Sequence, residues 1–174
     1  MMPYVLIAAA VLAVIAAAIY WVIPHKTAEL TVTNVELFAP HTEFKAAPGA
    51  GHLIGAPGEV EDDLYVVATL RMTDKLRTPL FFDGMGATMV NNDAAYELTT
   101  VRPTDLPRLE ESFPQIAKLA PKPFSEDDLQ PGETREGQVV VLVPSATADQ
   151  WKQKKSATLT VRLHRQDAQM VALP

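Results

Sequence analysis

The chain has 174 residues, 48% hydrophobic and 21% charged, with no cysteine and a formal net charge of −6. That is the length of one ordinary domain. The acidic balance excludes a basic nucleic-acid binder, so no nucleic-acid partner is expected, and the missing cysteines exclude a disulfide scaffold.

The apolar content is concentrated at the start. Residues 1–23 are all apolar except Pro3, and every charged residue follows them. Val5 to Ile23 is an unbroken apolar run. As a helix rising about 1.5 Å per residue it spans roughly 28 Å, close to the ~30 Å hydrocarbon core of a bilayer. Tyr4 at one end, and Tyr20 and Trp21 at the other, suit the two interfaces. Pro24 stops the helix, and His25 and Lys26 return the chain to water.

Residues 1–26 therefore read as a single N-terminal transmembrane anchor, with the membrane as partner through residues 5–23. A cleaved signal peptide is the rival, because Ala16-Ala17-Ala18 fits the small-residue cleavage pattern. Against it, Met1 to Tyr4 carries no charge and the run is longer than the usual h-region of about 7–15 residues. Ala9, Ala13 and Ala17 form a small-residue stripe that lets two membrane helices approach, which makes a weak homodimer the expected self-contact. Lys26, the one basic flank, votes weakly for a cytoplasmic domain, but long domains cross largely regardless of charge. The composition of residues 27–174 suits the extracytoplasmic side, and that orientation is expected.

Residues 29–38 alternate apolar and polar, with Leu30 and Val32 in one phase and Val35 and Leu37 in the other. The slip at Asn34 predicts a strand with a bulge. Residues 39–62 have no period and several prolines, which predicts a long loop. Leu64 to Thr73 alternates cleanly, placing Leu64, Val66, Ala68, Leu70 and Met72 on one face of a half-buried strand. Leu80 to Phe82 is a short apolar run after Pro79. Ala87–Val90 and Tyr96–Thr100 flank Asn91-Asn92-Asp93-Ala94, a hairpin turn of residues that tolerate positive φ.

Residues 103–123 have helical apolar spacing broken by five prolines. This predicts a crossover insertion with one short helix near Leu106–Ser112. Pro131-Gly132 marks a tight turn, and Gly137 to Val143 a buried strand. Thr147 to Lys154 predicts a short helix with Thr147 as N-cap. Ala157 to His164 alternates again, and Gln169 to Leu173 adds a terminal strand. Seven or eight short strands without a long amphipathic helix after the anchor predict an all-β, antiparallel β-sandwich.

Three local patterns carry a resemblance. They are Leu64-Tyr65-Val66-Val67-Ala68-Thr69-Leu70, the hairpin from Met89 to Tyr96, and Leu129-Gln130-Pro131-Gly132-Glu133 followed by Gly137 to Pro144. Together they are similar to a family of bacterial immunoglobulin-like domains of unknown function. That family occurs in secreted lipoproteins and membrane-anchored proteins and is sometimes mislabelled as telomeric repeat-binding factors. The resemblance spans about residues 29–165. It implies an immunoglobulin-like sandwich outside the cytoplasm and carries no catalytic residue. Thr73-Asp74 and Ala94 depart from the family pattern, and a lipid-bearing cysteine is missing.

The chain offers little chemistry. His25, His41, His52 and His164 are dispersed, without the close spacing of a zinc motif. Glu59-Val60-Glu61-Asp62-Asp63 and Glu126-Asp127-Asp128 are the densest carboxylate groups, and neither has the spacing of a calcium loop. Met72, Met85 and Met89 read as core packing. No serine lies in a nucleophile-elbow motif. No catalytic residue, metal ligand or cofactor is assigned, and the protein is expected not to be an enzyme. The expected function is a membrane-anchored module for protein–protein contact or envelope assembly, with an envelope protein as partner. Phe44, Leu53, Ile54 and Phe113, in the 39–62 loop and the 103–123 insertion, are the candidate contacts. The alternative is a periplasmic divalent-metal or small-ligand binding protein using the acidic loops.

Overall fold

The computed structural model describes residues 11–17, 20, 26–43, 60–92 and 94–174. Residues 11–17 are helical, and Val11, Leu12, Val14 and Ile15 are exposed. Most of the predicted membrane span, Ala9 included, lies outside the described residues. Among those described, no helix is long and apolar enough to cross a membrane.

Nine strands are described: β1 (Ala28–Phe38), β2 (His41–Glu43), β3 (Val60–Asp62), β4 (Leu64–Asp74), β5 (Phe82–Asn91), β6 (Ala94–Val101), β7 (Thr134–Val143), β8 (Ser156–Leu163) and β9 (Gln169–Ala172). Seven form one antiparallel run in the order β1-β4-β7-β6-β5-β8-β9. The run folds into two layers because β6 belongs to both. Its first half pairs with β5, from Asn91↔Ala94 to Ala87↔Leu98, and its last residues, Thr99 to Val101, pair with β7. The far strands β1 and β9 then lie against each other, closing a sandwich.

The pleat explains the interior. Leu64, Val66, Ala68, Leu70 and Met72 of β4 share the core with Val139, Val141 and Val143 of β7. From the other layer, Ala87, Met89, Leu98, Leu159, Val161 and Leu163 meet them. Thr33 is the extra residue in β1, where the register slips between Val32 and Asn34. Leu30 and Val32 before it, and Val35 and Leu37 after it, therefore all pack on the core, as the phase slip predicts. A second bulge at Asp83 lets both Phe82 and Met85 pack inward. The hairpin closes with a two-residue loop, Asn92 at φ 44°, and Gly132 sits at φ 76° after Pro131, the type II turn geometry.

Three differences from the sequence reading have simple causes. First, β4 is not half-buried along its first half. Tyr65 and Val67 on its outer face, with Val140 of β7, are covered by the 103–123 insertion through Leu106, Ile116 and Ala120. Second, that insertion contains two helices, Leu106–Ser112 and Pro114–Leu119. Pro107 and Pro114 fall in the first turns of these helices, where a missing N–H costs nothing. Third, the 39–62 segment is not loop throughout. β2 and β3 pair from His41↔Asp62 to Glu43↔Val60 as a separate two-stranded ribbon.

The segment leaving the insertion returns along β7. Phe124 N–H donates to the Gln138 carbonyl, and Gln138 N–H donates to the Lys122 carbonyl, both at 2.8 Å. A Cβ on Gly137 would lie 2.6 Å from Phe124 Cα, so only glycine admits this approach. At the other end of β4, Asp74 is 2% exposed and Oδ2 has no hydrogen-bond partner. Its Oδ1 accepts the Leu76 N–H at 2.7 Å. Burial raises its pKa, the Leu76 bond partly offsets this, and the Glu133 charge adds to the rise.

Two expectations follow. Gly137→Ala forces the Lys122–Phe124 backbone off β7 and costs about 1–3 kcal/mol, read as a lower denaturation midpoint. Asp74 ionises less readily folded than unfolded, so its destabilising effect is absent below the ordinary value of 3.8 and grows as pH rises through the elevated folded value. Asp74→Asn is expected to raise the melting temperature at pH 7 and to leave it nearly unchanged at pH 3. A lower melting temperature at pH 7 would contradict this.

Candidate functional site

β1 carries the chain from one pole of the sandwich to the other. Ala28 lies across from Asp74 and Phe38 across from Tyr65. At a rise of about 3.3 Å per residue that is a distance of roughly 33 Å. The N-terminal segment therefore enters at one pole and the β2–β3 ribbon leaves at the other, here called the distal pole. At the entry pole, Thr27 accepts the Lys75 N–H at 3.1 Å, and Lys75 Nζ pairs with Glu29 at 2.7 Å in solvent.

Phe113 is at the distal pole, but it faces its own domain. Its ring lies 6.0 Å from Phe38 and 5.6 Å from Tyr65, centroid to centroid. The Tyr65 phenol is pushed up in pKa by burial and then by the charge of Asp63. Asp63 Oδ1 also accepts the Ser145 N–H. Phe44, Leu53 and Ile54 lie outside the described residues.

The same pole carries a feature that the sequence reading passed over. Tyr96 is 51% exposed, although it alternates in phase with buried Leu98. It borders a pocket of about 270 Å³ whose apolar walls include Met89, Leu98, Val143, Pro144 and Ala146. The cause is position along the strand. Tyr96 pairs with Met89 near the hairpin tip, and β7 ends at Val143, which leaves the ring half-exposed. Strand phase alone puts Tyr96 inside. Its place within two residues of a hairpin turn is the signal for exposure. Gln150 and the capped helix Ala148–Lys152 form the pocket's far side. There Thr147 and Gln150 exchange both capping-box bonds, and Trp151 is buried.

The acidic loop at 126–128 is organised by a cation from its own chain. The Arg135 guanidinium donates to the carbonyls of Ser125, Asp127 and Asp128. It also pairs with Glu133 at 2.8 Å, and its side chain is only 18% exposed. The Glu133 carboxyl is held below its ordinary range, first by the Gln130 N–H and then by Arg135. The carbonyl oxygens that a calcium ion would need here are already donors' targets. Among the described residues no group of three His, Cys, Asp or Glu side chains converges. Of the histidines, only His164 has a described side chain, exposed just beyond the end of β8. Ser125 Oγ bonds to Asp127. Met72 and Met89 are in the core, with Met85 packed against it.

No family model matches the chain, and no curated protein matches it. Among solved structures, an uncharacterised β-sandwich protein from Clostridium difficile 630 is similar at 14% identity and a TM-score of 0.40. The similarity covers 87% of this chain and 89% of that one.

Arg135→Met removes the donors of three carbonyls and one carboxylate. It is expected to cost about 1–3 kcal/mol and to speed amide hydrogen exchange over residues 125–130 while leaving β8 protected. Unchanged exchange in the loop would show that the clamp is dispensable.

Proposed function

We propose that this protein is a membrane-anchored, extracytoplasmic immunoglobulin-like module that makes protein–protein contact through its distal pole. The anchor rests on the span-length apolar run with aromatic ends at residues 4–23. The immunoglobulin-like assignment rests on the strand, hairpin and turn motifs set out above, and the extracytoplasmic side on composition together with that resemblance.

The observation that carries the contact is Tyr96. A half-exposed tyrosine over an apolar pocket is the kind of group that dominates protein interfaces, because it buries a large rigid area at little entropic cost. It sits at the pole opposite the tether, where a membrane surface would obstruct it least. Phe44, Leu53 and Ile54, in the sequence between β2 and β3, are second-rank contacts in this reading. Phe113 acts differently in this reading. It braces Phe38 and Tyr65 beneath the pole and is not itself a contact.

The test is site-specific photo-cross-linking in native membranes. A cross-linker at Tyr96 is expected to capture one defined envelope protein. The same probe at Arg165, beyond β8 at the opposite pole, is expected to capture none, and Tyr96→Ala should weaken co-purification of that protein by at least about tenfold. Equal capture from both positions would overturn the assignment of the pole. A C-terminal reporter active only in the cytoplasm would overturn the orientation.

A further inference from the structure

A second site lies on the outer face, where β6 parts from β5. After the Ala87↔Leu98 pair, β6 turns away to β7, and Thr100 Oγ1 donates to the Met85 carbonyl at 3.0 Å across the opening. The result is an open cleft of about 580 Å³, within the size range of small-ligand sites, about 300–1,000 Å³.

Gly86 and Arg162 line it, and Gly84 lies beside them on β5, opposite Arg162. Gly84 and Gly86 leave room for the Arg162 guanidinium to lie across them: a Cβ on Gly84 would meet Nη2 at 3.3 Å, and one on Gly86 would meet Nη1 at 3.6 Å. Arg162 is thus seated by shape rather than by charge. Among the described residues neither it nor Arg102, the second guanidinium of the cleft, forms a hydrogen bond through its side chain or an ion pair. Around them stand hydroxyls of Thr88, Thr99 and Thr160, with the carboxylates of Glu97 and Asp105 on the rim.

We infer that this cleft binds a small ligand with one oxyanion and several hydroxyls, in chemical terms a sugar acid or a sugar phosphate. The guanidiniums supply fork-shaped donors that match a carboxylate or phosphate. Threonine hydroxyls and the rim carboxylates accept from ligand hydroxyls, and the same carboxylates repel a polyanion. The inference does not rest on the partner contact proposed at the distal pole, although Glu97 and Leu98 line both cavities.

The test is amide-resonance titration of the full chain in detergent micelles with four probes: glucuronate, glucose 6-phosphate, glucose and acetate. Saturable shifts centred on Gly84, Gly86 and Thr160, with a Kd of about 1 mM or tighter, are expected for glucuronate or for glucose 6-phosphate. Which of the two binds identifies the oxyanion. Glucose lacks the anion and acetate lacks the hydroxyls, so both should bind at least about tenfold more weakly. Arg162→Ala should abolish saturation. Gly86→Val, which keeps both arginines but fills the seat, should do the same while the remaining resonances hold their native positions. No saturation by either anionic sugar below about 10 mM, equal binding of acetate, or full affinity in Arg162→Ala would overturn the inference.

Discussion

Everything in this domain is arranged around a pair of strands that is apolar on both sides. Leu64 to Ala68 of β4 and Val139 to Val143 of β7 are hydrogen-bonded to each other from Leu64↔Val143 to Ala68↔Val139. Neither face of that patch can meet water. The inner face is covered by the β5–β8 layer, which fixes the sandwich. The outer face needs a second cover, and the proline-punctuated insertion supplies it with Leu106, Ile116 and Ala120. Buried Leu106 and Ile116 each contribute about 1.5–3 kcal/mol, so two short helices that would not persist alone are held by what they cover.

The single switch strand follows from the same requirement. If β6 stayed with β5 throughout, β7 would lose its neighbour on that side from Val140 to Leu142. If it stayed with β7, the β5 hairpin would not form. Dividing its length satisfies both pairings and leaves one region, beside Met85, where neither is complete. That incomplete region is the outer cleft. An opening with guanidiniums and hydroxyls is the by-product of joining two layers through one strand.

Much of this architecture is legible in the residues. The phase slip at Asn34 locates the β1 bulge, Asn91-Asn92-Asp93-Ala94 locates the hairpin, Pro131-Gly132 locates the turn, and Thr147 caps the helix it should. These are local effects, set by φ preference or by a period of two, and need no knowledge of the partner strand. What was not legible depends on remote parts of the chain. Tyr65 and Val67 read as the wet face because their cover arrives some forty residues later. Pro114 reads as a breaker, although it begins a helix. Arg162 reads as an ordinary strand arginine until Gly84 and Gly86 are placed beneath it. Tyr96 has the phase of a core residue and lacks only a neighbour long enough to cover it. Asp74 gave no signal, since a carboxylate at a strand end is ordinarily solvated. Most of the expected anchor and three of the four expected contacts lie outside the described residues.

The course of β1 has a mechanical consequence. The N-terminal segment, β1 and the ribbon are consecutive in the chain, and β1 crosses the full height of the sandwich between them. Tension between the N-terminus and the ribbon therefore runs along one covalent backbone, and the rest of the domain is a passenger beside it. Tension between the N-terminus and Tyr96 takes another route. It must pass from β1 into β4 across a ladder extending from Ala28↔Asp74 to Phe38↔Tyr65, loading those hydrogen bonds together, in shear, instead of one at a time. Force applied at the ribbon and force applied at Tyr96, on the same pole, thus follow different paths, one as strong as the polypeptide and one limited by the β1–β4 seam.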